Sequence, residues 1–256
     1  MNATQNPEPL KLSTSRKVSP WADPKKGSKI KNCFSLPAGR NGSCPGATDL
    51  CDPATGGYCY AGRDEKRFPS VNALVTRNLK LLKAAGTVAG MVDLLDAAVT
   101  EFVTFATKRD LPLVFRIHED GDFFSRTYAK AWAEVITRHP DVQFWAYTRS
   151  WAGKVVVTDI LAGIDNLALY VSVDAANIHK ARPLVAGWQA AGILPALAAE
   201  AEGIQDVSVS LQGRRAPVCP EIGGKLPLVN DDGVGACVAC GMCIDGKAPV
   251  NFPIHR

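Results

Sequence analysis

The sequence holds eight cysteines, and their spacing divides them into two sets. Near the end of the chain, "GACVACGMCIDG" places Cys237, Cys240 and Cys243 at C-x2-C-x2-C, and Cys219-Pro220 lies upstream. Such a run curls the backbone so that three thiolates converge, as in ferredoxin-type ligation, where a cysteine followed by proline often supplies the fourth ligand. Four thiolates can hold a [4Fe–4S] cube completely. Zinc is the competing metal, but structural zinc favours two separated C-x2-C pairs. Three consecutive cysteines and one isolated one favour a cluster. A third option is a set of buried apolar thiols. The glycines and charges around these cysteines give little apolar surface for that.

The other set is Cys44, Cys51 and Cys59, at C-x6-C-x7-C, on a segment rich in glycine and proline. Three thiolates on one loop imply a cluster with one iron left open, able to bind a small molecule. Cys33 either completes this set and closes the site or is a small buried residue. The expected cofactor is therefore one [4Fe–4S] cluster or two, with zinc as the alternative. The expected partner is a small molecule or an electron donor. Disulfides are disfavoured, because no run approaches a membrane span and the N-terminus lacks the apolar core of a signal peptide. That points to the cytoplasm, where thiols stay reduced.

The elements that would position these cysteines read as an α/β body. At 256 residues, with 46% hydrophobic content and a net charge of +4, the chain can bury a large core. Residues 1–32 read as a flexible basic arm and residues 33–68 as a Cys-rich loop segment. Residues 69–212 read as the barrel-like body, and residues 213–256 as a C-terminal Cys-rich cluster-binding segment. Helical spacing begins at Pro69, continues over 92–106 and recurs in "YAKAWAEVI", where Trp132 reads as core, as does Trp188 in a helix around 181–191. Strands are expected at 111–118, 142–148, 167–173 and 206–211, with further ones near 86–90, 193–196 or in the N-terminal region. A weaker helix is expected near 196–202. Strands alternating with helices predict a complete or partial (β/α) barrel, with an open doubly wound sheet as the alternative. No G-x-G-x-x-G or Walker A motif supports the latter.

Parallel barrels gather functional side chains at the C-terminal ends of their strands. Here those ends carry His118, Glu119 and Asp120 after the first strand, Arg149 after the second and Asp174 after the third. These five are the candidate catalytic residues. His118 or an acidic neighbour would move protons, and Arg149 with Arg214 would hold an anion. Asp122 and Ser125 read as helix caps. His118 is equally readable as a structural histidine, and His255 as a surface residue.

The motifs "FSLPAGRNGSCPGATDLC", "CYAG", "FRIHEDGDFFS", "FWAYTRS" and "CVACGMC" resemble the actinobacteriophage gene product 88 family. That resemblance implies phage origin, and hence the host cytoplasm, but carries almost no biochemistry. Three N-terminal cysteines ending in Cys-Tyr ahead of βα repeats are more distantly similar to radical-SAM enzymes. Those combine a partial (β/α) barrel with a C-x3-C-x2-C loop that binds S-adenosylmethionine. The spacing here differs, so this likeness supports the architecture more than the reaction. Two functions follow. One is an iron–sulfur protein with redox or radical-type activity. The other is a metal-stabilised module binding nucleic acid or a host protein, for which the basic arm would supply phosphate contacts but few stacking aromatics.

Overall fold

The computed structural model describes residues 8–21, 30–199, 207–213 and 215–253. Five strands form one all-parallel sheet in sequential order: β1 (Val114–Ile117), β2 (Gln143–Thr148), β3 (Leu167–Val173), β4 (Leu194–Ala199) and β5 (Val250–Pro253). The helices are α1 (Tyr60–Arg67), α2 (Pro69–Ala85), α3 (Val88–Thr107), α4 (Arg126–Arg138) and α5 (Thr158–Leu161). They continue with α6 (Ile178–Ala181), α7 (Val185–Ala190), α8 (Val207–Gln212) and α9 (Ala236–Cys240). An order without reversal has no switch point of the doubly wound kind. The sheet is a curled half-barrel.

Period-two alternation gives the inner strands β2 and β3 two apolar faces, as expected where a parallel sheet is covered on both sides. Phe115, Ile117, Phe144, Leu169 and Val171 face the helices. There Phe115 packs against Phe102, Phe144 and Trp132 with ring centroids 5.5, 5.7 and 6.2 Å apart. Val114, Trp145, Tyr147, Ala168, Tyr170 and Ala196 face the concave side, which the C-terminal cysteine segment covers. The Tyr170 hydroxyl donates to Ala248 O at 3.1 Å and the Gln143 amide to Ile244 O at 3.0 Å, pinning that segment down.

Both sheet edges are extended by short rungs that carry cysteines. Residues 32–36 run parallel to β1, with Arg116 N–H donating to Asn32 O and Phe34 N–H to Arg116 O. At the far edge, Val218 bridges Asn251 and Cys219 N–H donates to Asn251 O. Laid flat, seven rungs would separate the edges by roughly 29 Å. Yet Cys237 lies within electrostatic reach of Cys33 on one edge and Cys219 on the other. The curl brings them together.

Several expectations are corrected. Residues 8–21 and 30–32 are not a flexible arm: Leu10, Leu12, Val18 and Ile30 are buried, and Lys17 pairs with Glu221. The alternating segment 206–211 is not a strand; its described part forms α8. The helix expected near 196–202 is instead β4 as far as residue 199, and a strand near 193–196 is present. Residues 86–90 open α3, with the Thr87 hydroxyl capping Gly90 N–H. The described part of the C-terminal Cys-rich segment contributes α9 and β5. No described helix is long and apolar enough to cross a membrane.

His118 breaks the alternation of β1. Parity would turn it to the concave side, but its φ of 60° is left-handed, a strained conformation away from glycine. The ring turns instead into a pocket of Phe34, Phe123 and Tyr128, where Nε2 stands 2.8 Å from the Tyr128 hydroxyl and Nδ1 has no partner. Burial, then the Arg116 charge, lowers its pKa to about 3. The native state keeps it neutral while the unfolded chain takes a proton below about 6.5, so its contribution is present above that pH and lost as pH falls toward 3. From pH 7 to 5, His118→Gln should lose about 2 kcal/mol less unfolding free energy than the wild type. Urea denaturation at both pH values checks this; equal losses would contradict it.

Candidate functional site

The loop set is held over the C-terminal ends of β1, β2 and β3. Asp174, 1% exposed, is the anchor. Its Oδ2 accepts from Arg149 Nη1 at 2.6 Å, from the Thr48 hydroxyl at 2.7 Å and from the Tyr58 hydroxyl at 3.3 Å. Thr48 and Tyr58 belong to the cysteine loop, so one carboxylate ties it at two points to the end of β3. Asp122 ties it at the end of β1. Its carboxylate accepts from the Thr148 hydroxyl at 2.7 Å and Arg149 N–H at 2.8 Å, and its own N–H donates to Ser43 Oγ. Gly46 lies so close to β2 that an added Cβ would stand 2.0 Å from Arg149 O.

Within this frame Cys44, Cys51 and Cys59 act on one another. The Cys51 thiol is lowered to about 7, first by a hydrogen bond from Cys59 and then, against burial, by the Arg149 charge. Cys59, which keeps the shared proton, is pushed up; it stands at the N-cap of α1, with Gly62 N–H facing its sulfur. Burial pushes the Cys44 thiol up. Beside the loop lies a cavity of about 310 Å³ lined by Arg40, Thr48, Arg149, Trp151, Asn177 and Lys180, among others.

The second set gathers on the concave face. One turn of α9 puts Cys237 and Cys240 on the same side of the helix. Gly241, at φ 70°, then reverses the chain so that Cys243 returns toward them. Cys219 comes from the sheet edge. Burial pushes Cys237 up to about 12 and Cys243 up to about 11, while Arg116 pulls both down. The Tyr147 hydroxyl is hydrogen-bonded to Cys243. Two buried N–H donors of this face, Arg116 Nε and Trp145 Nε1, have no partner. Cys33 is buried beside this second set rather than the loop set, its thiol 3.9 Å from Asn32 Oδ1. Among the described residues no three His, Cys, Asp or Glu side chains converge tightly enough to hold a single metal ion.

Of the five candidate catalytic residues, Arg149 and Asp174 stand beside Cys51. Glu119 and Asp120 lie with Tyr60 and Arg116 above β1, where burial, then Glu119, raises Asp120 to about 7. His118 is in the core beneath. Ser125 caps α4 through Tyr128 N–H, whereas Asp122 binds β2 instead of capping a helix. Trp132 and Trp188 are core. Arg214 and His255 lie outside the described residues. Sequence reasoning missed Thr48, Tyr58 and Tyr60, whose hydroxyls serve the two sites, whereas Tyr147 was legible as a polar residue at the end of the second strand. The tyrosines on either side of Cys59 were the available signal.

Replacing Asp174 with Asn would take from the Arg149 charge, 11% exposed, its hydrogen-bonded carboxylate and leave only the Cys51 sulfur opposite it. Breaking a buried pair this way costs about 3–5 kcal/mol. Denaturant unfolding should show that loss, together with faster alkylation of Cys51 and Cys59. An unchanged midpoint and alkylation rate would contradict the anchoring role.

The gene product 88 family model matches residues 9–246. The chain is 39% identical to the Gene 88 protein of Mycobacterium phage L5 over 254 residues, covering 95% of this chain and 97% of that protein. It is 38% identical to the Gene 88 protein of Mycobacterium phage D29 over 248 residues, with the same coverage. No solved structure matches it. The phage origin expected from the sequence agrees with both relatives, and the chain belongs to the gene product 88 family.

Proposed function

We propose that this chain is an iron–sulfur protein with two cluster sites on a radical-SAM-like half-barrel, acting in redox or radical-type chemistry on a small molecule. The observation that carries this reading is the placement of Cys44, Cys51 and Cys59 over the C-terminal strand ends, beside a cavity and two ionisable side chains. That is where parallel barrels place their reactive groups. The donor sets fit. Thiolates of a cubane each serve a different iron, so they stand further apart than the ligands of one ion. The two orphan N–H groups on the concave face fit an acceptor among those sulfurs, since buried polar groups are normally satisfied.

When bound, a three-thiolate cluster supplies electrons and an iron with a free coordination position. The chain's own residues do the rest. The hydrogen bond from Cys59 and then the Arg149 charge favour the Cys51 thiolate, and Arg149 offers its charge to an anionic group entering the cavity. Tyr58 and Thr48 keep the loop seated, and Asp174 fixes the guanidinium. Metal uptake releases the protons of the raised thiols.

Anaerobic purification followed by iron, sulfide and zinc analysis tests this. About eight irons and eight sulfides per chain are expected for two cubanes. A colourless protein with stoichiometric zinc and no sulfide would overturn it. Adding S-adenosylmethionine while following the EPR signal tests the radical branch, which an unperturbed signal would contradict.

A further inference from the structure

The concave face holds a cation of which the reading above uses one orphan N–H but not the charge. Arg116 projects from β1 toward the second cysteine set. Its guanidinium lies 5.4 Å from the Tyr147 ring centroid, and Tyr147 in turn meets Cys243. Nη2 donates to the Tyr60 hydroxyl at 3.3 Å, and Tyr60 follows Cys59 directly. No described carboxylate is in ion-pair contact with it. Glu119 acts on it from further away, and Nε is buried with no acceptor. Cys33, Cys237 and Cys243 are the thiols it faces. Lys17 adds a second positive charge near Cys237.

Arg116 is half-buried, but its Nε is sealed from solvent, and a charged donor so placed with neither a carboxylate nor an acceptor is costly unless another anion stands beside it. Thiolates carrying a cluster are such an anion. A fixed positive charge beside a cluster stabilises the reduced form, which is the more negative one, and so raises its reduction potential. Hydrogen bonds to the sulfurs act in the same direction.

We propose that Arg116 is a positioning residue that serves as the built-in counter-cation of the Cys219, Cys237, Cys240 and Cys243 site and sets its potential above that of an uncompensated cluster. This rests on the iron–sulfur reading. The same guanidinium, through Tyr60, is the direct polar link from this site to the residue after Cys59. Glu119 opposes it.

The test is an EPR-monitored redox titration of the full, cluster-loaded chain, with the concave-site signal identified by its loss in Cys240→Ser. At the wild-type midpoint, Arg116→Gln should leave that cluster about tenfold less reduced, a shift of about 59 mV for a one-electron couple. Arg116→Lys, which keeps the charge, should fall between the two. Glu119→Gln should shift it the opposite way and carries the test if Arg116→Gln does not fold. Iron content is measured on each sample. A loaded wild type whose concave-site midpoint ignores both Arg116→Gln and Glu119→Gln overturns the role of Arg116 alone. A wild type without iron and sulfide overturns the reading beneath it.

Discussion

The buried pair of Arg149 and Asp174 is the interaction on which the loop site depends. Between Leu36 and Cys59 the chain has little apolar side-chain area and, apart from one short 3-10 turn at Pro53–Thr55, no regular element to order it. Entropy would leave such a segment mobile. A single carboxylate 2% exposed at its side chain gathers a guanidinium, a threonine and a tyrosine, so that the loop's polar groups substitute for an apolar core. The guanidinium that satisfies Asp174 also adds, after the hydrogen bond from Cys59, to holding the Cys51 thiol down.

The second constraint is the curl of the sheet. Five parallel strands in sequential order can lie open or roll up. Here the concave face carries Trp145, Tyr147 and Tyr170, too large to leave bare, and the C-terminal segment fills it. That segment returns through β5 to the β4 edge, with the Cys219 rung beyond it. The cysteines of the second set therefore sit where a complete barrel would have its remaining strands. The filling material is itself the candidate cluster site, which couples closure of the fold to whatever the thiols hold.

Much of this was legible in the sequence. Strands β1, β2 and β3 announce themselves by β-branched and aromatic runs, and α3 and α4 by apolar spacing. The misses have physical causes. "LPALAA" is poor in β-branched residues and contains Pro195, so only the part near 193–196 reads as a strand and the rest of β4 reads as helix. "VSVSL" alternates as a strand does, yet forms α8, with Leu211 buried and Val209 exposed. β5 is four residues ending in a proline. Cysteine spacing predicted two sets, but the seating of Cys33 on the sheet edge depends on pairing with Arg116, eighty-three positions away. His118 was legible as a strand-end residue. Its turn into the core follows from one backbone angle that no spacing encodes.

The central claim is that the two cysteine sets are separate sites, one over the strand ends and one in the concave face, each holding its own cluster. Iron and sulfide content in two serine variants, Cys44→Ser/Cys51→Ser/Cys59→Ser and Cys219→Ser/Cys237→Ser/Cys240→Ser/Cys243→Ser, tests it most directly. Each should retain about four irons, half of the wild-type content. Loss of all iron in both variants would show one cluster shared between the sets and would contradict the account.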